Sequence, residues 1–252
     1  MALLSGGGYA EYAVASQSMV LPVPQGYTFV SAAAIPESFL TAWQLLRFVG
    51  DVQEGQRVLL HAGASCLGVA ASQLTEKYFR ATAVTTSSAA KVEYCKRYAS
   101  VCLSRTPDES GLLFANKVRT LLGEESINCI VEPIFGGNYM QENEAVLAER
   151  GRIIVVAYMG GARVQLNLMP LYRLRAHLLF SKLRCRSDAY RAQVVSTFEE
   201  EILPYLHERI IVPAMFKSLP LREAAQAHQL LESSTNWGKI VLTTGAHSAG
   251  EI

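Results

Sequence analysis

This 252-residue chain is short of paired cysteines and of charge of either sign. Its five cysteines, Cys66, Cys95, Cys102, Cys129 and Cys185, are odd in number and scattered, with no Cys-x-x-Cys pair. That argues against a disulfide framework and against a structural zinc site. His61, His177, His207, His228 and His247 show no metal spacing either, so no metal is expected. The 23 Lys and Arg are dispersed among 22 Asp and Glu, for a net charge of +1. No basic face for a nucleic acid follows from that balance. No apolar run approaches the ~20 residues that cross a bilayer. The N-terminus, Met1 to Gly8, lacks the basic region and apolar block of a signal peptide. The expectation is a cytoplasmic protein with neither a nucleic acid nor a membrane as partner.

What the chain has is apolar residues, 50% of the total, and one informative segment, Val58 to Ala71. There a short apolar strand runs through small residues into an amphipathic helix. Gly63 and Gly68 are the outer glycines of a dinucleotide fingerprint, with Ser65 in place of the middle glycine and Cys66 after it. A helix N-terminus offers unpaired N–H groups and a positive dipole end to a pyrophosphate. The backbone N–H groups around Ser65, Cys66 and Leu67 are the candidates, with Gly63 allowing the turn and Gly68 close helix packing. Cys66 reads either as a buried small hydrophobe or as an oxidisable thiol.

Strand and helix patterns repeat around it. Strands are expected at Arg57–His61, Ala81–Thr86, Val101–Leu103, Ile127–Val131, Arg152–Tyr158 and His177–Leu183. Helical patterns lie between them, with Leu67, Ala70, Ala71, Leu74 and Tyr78 on one face and Leu113, Val118, Leu121 and Leu122 on another. Such alternation predicts an α/β fold, a doubly wound parallel sheet of Rossmann type. Tyr9 to Pro24 alternates like a strand, and Phe29 to Phe48 reads as helical, interrupted by Pro36. Arg191–Leu206 and Leu221–Ser233 are expected helices, and Val212–Leu219 and Lys239–Thr243 strands. His61 reads as a packed core residue with one hydrogen bond, and His228 as a solvated helical residue.

One electrostatic feature bears on the nucleotide. An NAD site places a carboxylate after the second strand to bond the ribose hydroxyls. Here that segment, Thr85 to Lys91, holds hydroxyls and a lysine but no carboxylate, which suits a 2′-phosphate.

Several blocks carry a family resemblance. They are Ala34 to Leu46, Met1 to Leu4 with Gly6-Gly7-Gly8, His61-Ala62-Gly63, Tyr158-Met159-Gly160-Gly161, Leu183 to Arg186, and Gly238 to Leu242. Together they resemble the zinc-independent medium-chain dehydrogenases/reductases, in their tumour-suppressor-inducible quinone oxidoreductase branch. The resemblance implies a metal-free homodimer that moves hydride from NADPH to a quinone or related enone. It also implies a GroES-like β domain built from both chain ends around the Rossmann domain. That domain would be incomplete here, because members carry a further segment before the residues matching Met1 to Leu4. The implied limits are 1–38 for the GroES-like remnant, 39–186 for the NADP-binding domain, 187–245 for the return and 246–252 for a tail. The segment at Arg152–Tyr158 resembles strands near the edge where members dimerise.

The resemblance puts Ser88 and Lys91 on the phosphate, with Arg105 substituting for a tyrosine. It puts Thr41, Phe135, Tyr158, Met159, Gly160 and Gly161 near the nicotinamide, with Arg184, Arg186, Asn236 and Lys239 approaching. Hydride transfer needs no strong acid or base from the protein, and no catalytic residue is assigned. An enoyl-thioester reductase, or a non-catalytic NADPH-binding or dimerising fragment, are the competing expectations.

Overall fold

The computed structural model describes residues 1–245, so the expected tail and His247 lie outside the described residues. The chain divides into two compact units. The first comprises Met1–Gln44, Ser65–Ala70 and the chain from Leu183 onward; the second comprises Leu45–Ala64 and Ala71–Lys182. Residues 39–44 and 65–70 thus group with the first unit, whereas the expected domain limits put them in the central one. No helix among the described residues is long and apolar enough to cross a membrane.

The N-terminal helices follow local signals. The Thr28 hydroxyl caps α1 (Phe29–Ala33) by accepting the Ser31 N–H at 3.2 Å. Pro36 opens α2 (Pro36–Trp43), where its missing N–H costs nothing because a first turn leaves that donor unpaired anyway. A π-helical turn, Gln44–Val49, follows.

The second unit holds the parallel sheet. In chain order come β1 (Arg57–Leu60), β2 (Thr82–Ser87), α4 (Val92–Cys95), β3 (Val101–Ser104), α5 (Ala115–Leu122), β4 (Ile127–Glu132), α6 (Tyr139–Val146), β5 (Leu147–Val155), α7 (Leu168–Arg173) and β6 (His177–Phe180), while α3 (Cys66–Gln73), between β1 and β2, is divided between the two units. The strand order is β3-β2-β1-β4-β5-β6, every neighbour parallel, which is the doubly wound dinucleotide-binding arrangement. Its central strands β1, β2 and β4 are almost wholly buried, whereas the edge strands β3 and β6 are only partly covered. Leu59, Val84, Ile130 and Ile153 from four strands pack with Phe114, Val118 and Met140 from the helical side.

Three expectations are corrected here. β5 starts at Leu147 and stops at Val155, so Tyr158 lies in the loop beyond it. β6, the edge strand beside β5, ends at Phe180 rather than at Leu183. Leu121 is 61% exposed, because it falls on the outer face of α5.

In the first unit the expected strand at Tyr9–Pro24 is not formed. The segment holds a single bridge, Ala2 to Val20, and a 3-10 turn at Gln17–Met19. An alternating pattern becomes a strand only when a neighbour takes its backbone groups. Tyr12 and Val14 accordingly stand 91% and 98% exposed. Further on, α8 (Asp188–Glu201) and α9 (Leu203–His207) replace one expected helix. Pro204, in the first turn of α9, cannot donate to the ladder of α8. β7 (Met215–Pro220), α10 (Ala224–Glu232) and β8 (Lys239–Thr243) follow, with β7 and β8 paired as a parallel two-stranded sheet.

Candidate nucleotide-binding site

In an open α/β sheet a ligand sits beyond the carboxyl ends of the strands, where the order changes direction. Here that point lies between β1 and β4. After β1 the chain turns at His61, Ala62 and Gly63. Ala62 takes a left-handed φ of 53°, and the Gly63 N–H donates to the Thr86 carbonyl at 2.9 Å. A Cβ on Gly63 would lie 2.5 Å from the Cβ of Thr85, so only glycine lets the turn lie against β2.

The ends of β2 and β3 are electropositive. The Arg105 N–H donates to the Ser87 carbonyl at 2.8 Å, and the Lys91 N–H to the Ser88 carbonyl at 2.9 Å. Ser88 precedes the 3-10 turn Ala89–Lys91 without a side-chain cap bond. Burial, and then the nearby Arg105 guanidinium, push the Lys91 ammonium below the usual lysine range. Burial pushes the Tyr139 phenol up, and the nearby Arg105 guanidinium acts against it. The structure places Ser88, Lys91 and Arg105 at the neighbouring ends of β2 and β3.

The ends of β4 and β5 form the other half. Glu132, fully buried, accepts the Ile134 and Phe135 N–H groups at 2.6 and 2.8 Å. Phe135 is held at a φ of 68°, a costly conformation for a bulky side chain. A Cβ on Gly136 would collide with the Gly160 carbonyl and one on Gly160 would press on the Ile134 side chain, and the Gly160 N–H donates to the Ile134 carbonyl at 2.8 Å. Phe135 packs edge-on against Tyr158 at 5.4 Å, while Tyr158, Met159 and Gly160 stay open to solvent. Phe135, Tyr158, Met159, Gly160 and Gly161 thus share one pair of facing turns.

His61 corrects its expectation. It is buried but makes two hydrogen bonds, to Thr86 Oγ1 and Asn143 Oδ1, each at 2.8 Å. Glu132, Asn143 and Thr86 are the polar groups that sequence reasoning missed here. The only local signal was an apolar strand ending in a carboxylate.

The remaining candidates lie in the first unit. Ser65 Oγ caps α3 by accepting the Gly68 N–H at 3.0 Å, so that donor is already used. Cys66 and Leu67 are half-buried and Gly68 is buried. Cys66 and Lys239 line a cavity of about 250 Å³ with Tyr9, His228 and Gly238. Thr41, Arg186 and Asn236 are not in that lining. Thr41 is half-buried on α2, and Asn236 half-buried in the loop before β8. The Arg186 guanidinium lies 5.1 Å over the Tyr190 ring, and Arg184 pairs with Glu37 at 3.9 Å, both on the surface. His228 is exposed, its Nε2 2.9 Å from the Tyr9 hydroxyl.

Residues 108–242 match the family described as zinc-binding dehydrogenase. The chain is 26% identical over 243 residues to the human quinone oxidoreductase, covering 94% of this chain and 69% of that one. A solved NAD-dependent alcohol dehydrogenase is similar at 30% identity and a TM-score of 0.79, covering 95% of this chain and 66% of its own. A mycobacterial protein complexed with NADPH is similar at 27% identity and a TM-score of 0.79, over 94% of this chain and 71% of that one. The chain spans 64% to 69% of the length of quinone oxidoreductase relatives, and 5% of a mycobacterial mycoketide-CoA synthase that it also matches. The zinc in the family's description has no fitting ligand set here. Among the described residues no group of three or more His, Cys, Asp or Glu could hold a metal ion.

Proposed function

Since this chain belongs to the zinc-binding dehydrogenase family, we propose that its six-stranded unit binds NADPH and serves an oxidoreductase that reduces quinones or related enones. The observation that carries the nucleotide assignment is the pair Lys91 and Arg105. Two cations sit together at the ends of β2 and β3, with hydroxyls and no carboxylate between Thr85 and Lys91. Holding like charges together costs free energy, and a 2′-phosphate repays it through charge-assisted hydrogen bonds. Ser88 adds a neutral donor.

The bound cofactor supplies the hydride. The protein's part is to orient it and keep water out. The turns Ile134–Gly136 and Tyr158–Gly161 hold one another by backbone bonds, and the Phe135–Tyr158 ring pair makes an apolar wall there. No side chain is asked to act as acid or base. No step runs through zinc. The exposed edge at β6, where Phe180 is 55% exposed, is the face we propose for a homodimer.

The test is NADPH oxidation by the purified chain with a quinone, run beside an enoyl thioester. Consumption with the quinone alone supports this reading. Consumption with the thioester alone replaces it by the enoyl-reductase reading. Binding without turnover leaves the fragment reading in its place.

A further inference from the structure

Four buried side chains of the second unit form one chain of hydrogen bonds. The Glu132 Oε1 accepts the Ile134 and Phe135 N–H groups at 2.6 and 2.8 Å, and Oε2 accepts Asn143 Nδ2 at 2.6 Å. Asn143 Oδ1 lies 2.8 Å from His61 Nε2, which is 3.5 Å from Glu132 Oε2. His61 Nδ1 lies 2.8 Å from Thr86 Oγ1. The His61 ring packs against Phe114 at 4.7 Å and Tyr139 at 5.0 Å.

The orientation of every group follows from what each can donate. A carboxylate only accepts, so Asn143 must turn its amide N–H toward Glu132. Its oxygen then faces His61 Nε2, so that nitrogen is the one that carries a proton. Nδ1 is left to accept the Thr86 hydroxyl proton.

The output of this chain is a turn. Glu132 grips two successive N–H groups and holds Phe135 in its left-handed conformation. That conformation brings Gly136 against the Gly160 carbonyl. We propose that Glu132 is a positioning residue that, oriented by Asn143, His61 and Thr86, holds the turn Ile134–Gly136 in the shape that receives the nicotinamide ring. This rests on the reading that the unit binds NADPH. The ring's place depends on the relay, while the cofactor's affinity depends on the phosphate end at Lys91 and Arg105.

The substitution Glu132→Gln tests it. The new amide keeps an oxygen for Ile134 and Phe135 but points N–H at the N–H of Asn143. Asn143 must flip, its Nδ2 then faces His61, and the ring proton moves to Nδ1. Adding Asn143→Asp supplies acceptors to both neighbours and returns the proton to Nε2. Nitrogen NMR of the histidine-labelled full chain reads the tautomer directly. The expected series is Nε2–H in the native chain, Nδ1–H in E132Q, and Nε2–H in the double variant. With NADPH at saturation, the nicotinamide emission of E132Q moves toward that of the free cofactor, and the double variant restores it. Lys91 and Arg105 keep their side chains in every variant, so NADPH is expected to saturate each of them and their emission can be compared. If E132Q fails to fold, refolding in the double variant with the native tautomer serves as the supporting result, and its failure overturns the proposal. A tautomer and emission unchanged in E132Q overturn it as well. A native chain that binds no NADPH overturns the cofactor reading itself, a result the emission titration separates from failure of the relay.

Discussion

A side-chain carbon on Gly63 would meet the Cβ of Thr85 at 2.5 Å. The turn after β1 therefore rests against β2, and its Gly63 N–H bonds the Thr86 carbonyl at 2.9 Å. Gly63→Val must part β1 from β2 at their carboxyl ends. The expected loss is about 1–3 kcal/mol in urea unfolding, as for other overpacked sites, together with NADPH binding. Gly6→Ala, where no atom lies within 4 Å and φ is ordinary, is the control that changes neither.

Glu142 does for α5 what a cap residue usually does. Its carboxylate accepts the N–H groups of Leu113, Phe114 and Ala115 at 2.9, 2.7 and 2.9 Å, from a side chain that is itself buried. Glu142→Ala leaves three donors without a partner, at a cost of roughly 3 kcal/mol or more. Glu142→Gln keeps one good acceptor and is expected to fall between. Thermal unfolding followed by circular dichroism ranks the three proteins.

Lys91 gives a pH dependence with a definite sign. Burial and Arg105 both lower its titration, so the ammonium is lost at a lower pH than the ordinary lysine value of about 10.4. Affinity for NADPH is then full at neutral pH and falls as the pH rises toward the lysine range, earlier than an exposed lysine would give. Lys91→Met abolishes that fall and weakens NADPH binding about tenfold, as loss of one charge-assisted bond does, with NADH unaffected. Titrations at a series of alkaline pH values check both statements.

Cysteine reactivity tests the core independently of any cofactor. Burial pushes the Cys129 thiol up to about 12, and raises Cys95 and Cys102 as well, while Cys185 is exposed. The thiolate is the reactive form. Alkylation near neutral pH, read by mass spectrometry, should label Cys185 first and Cys129 only on unfolding. Labelling of Cys129 at the rate of Cys185 would contradict the packed sheet.

How legible all this was depended on the range of the interaction. The central strands β1 and β4 show in the sequence because burial on both faces favours apolar residues along their length, while the edge strands β3 and β6 give a weaker signal. Hydroxyls and Lys91 after β2 show in the sequence as a segment without a carboxylate, whereas Ser88 and Arg105 were placed only by the family resemblance. Tyr9–Pro24 misleads because alternation records a preference for a pleated surface, and this segment has only one bridge to a neighbour. The His61 relay was invisible because its members come from separate elements, with His61 and Asn143 82 positions apart. The left-handed Phe135 has no sequence signature, since its conformation is imposed by Glu132 and by the facing turn at Gly160.

The central claim is that the ends of β2 and β3 form a site for a phosphorylated nicotinamide nucleotide. Its most direct test is titration of the purified 252-residue chain with NADPH and with NADH, followed by nicotinamide fluorescence. The account predicts saturable NADPH binding, about tenfold or more tighter than NADH, from the charge-assisted bonds to the 2′-phosphate. Equal affinity for the two nucleotides, or binding of neither by the folded chain, would contradict it.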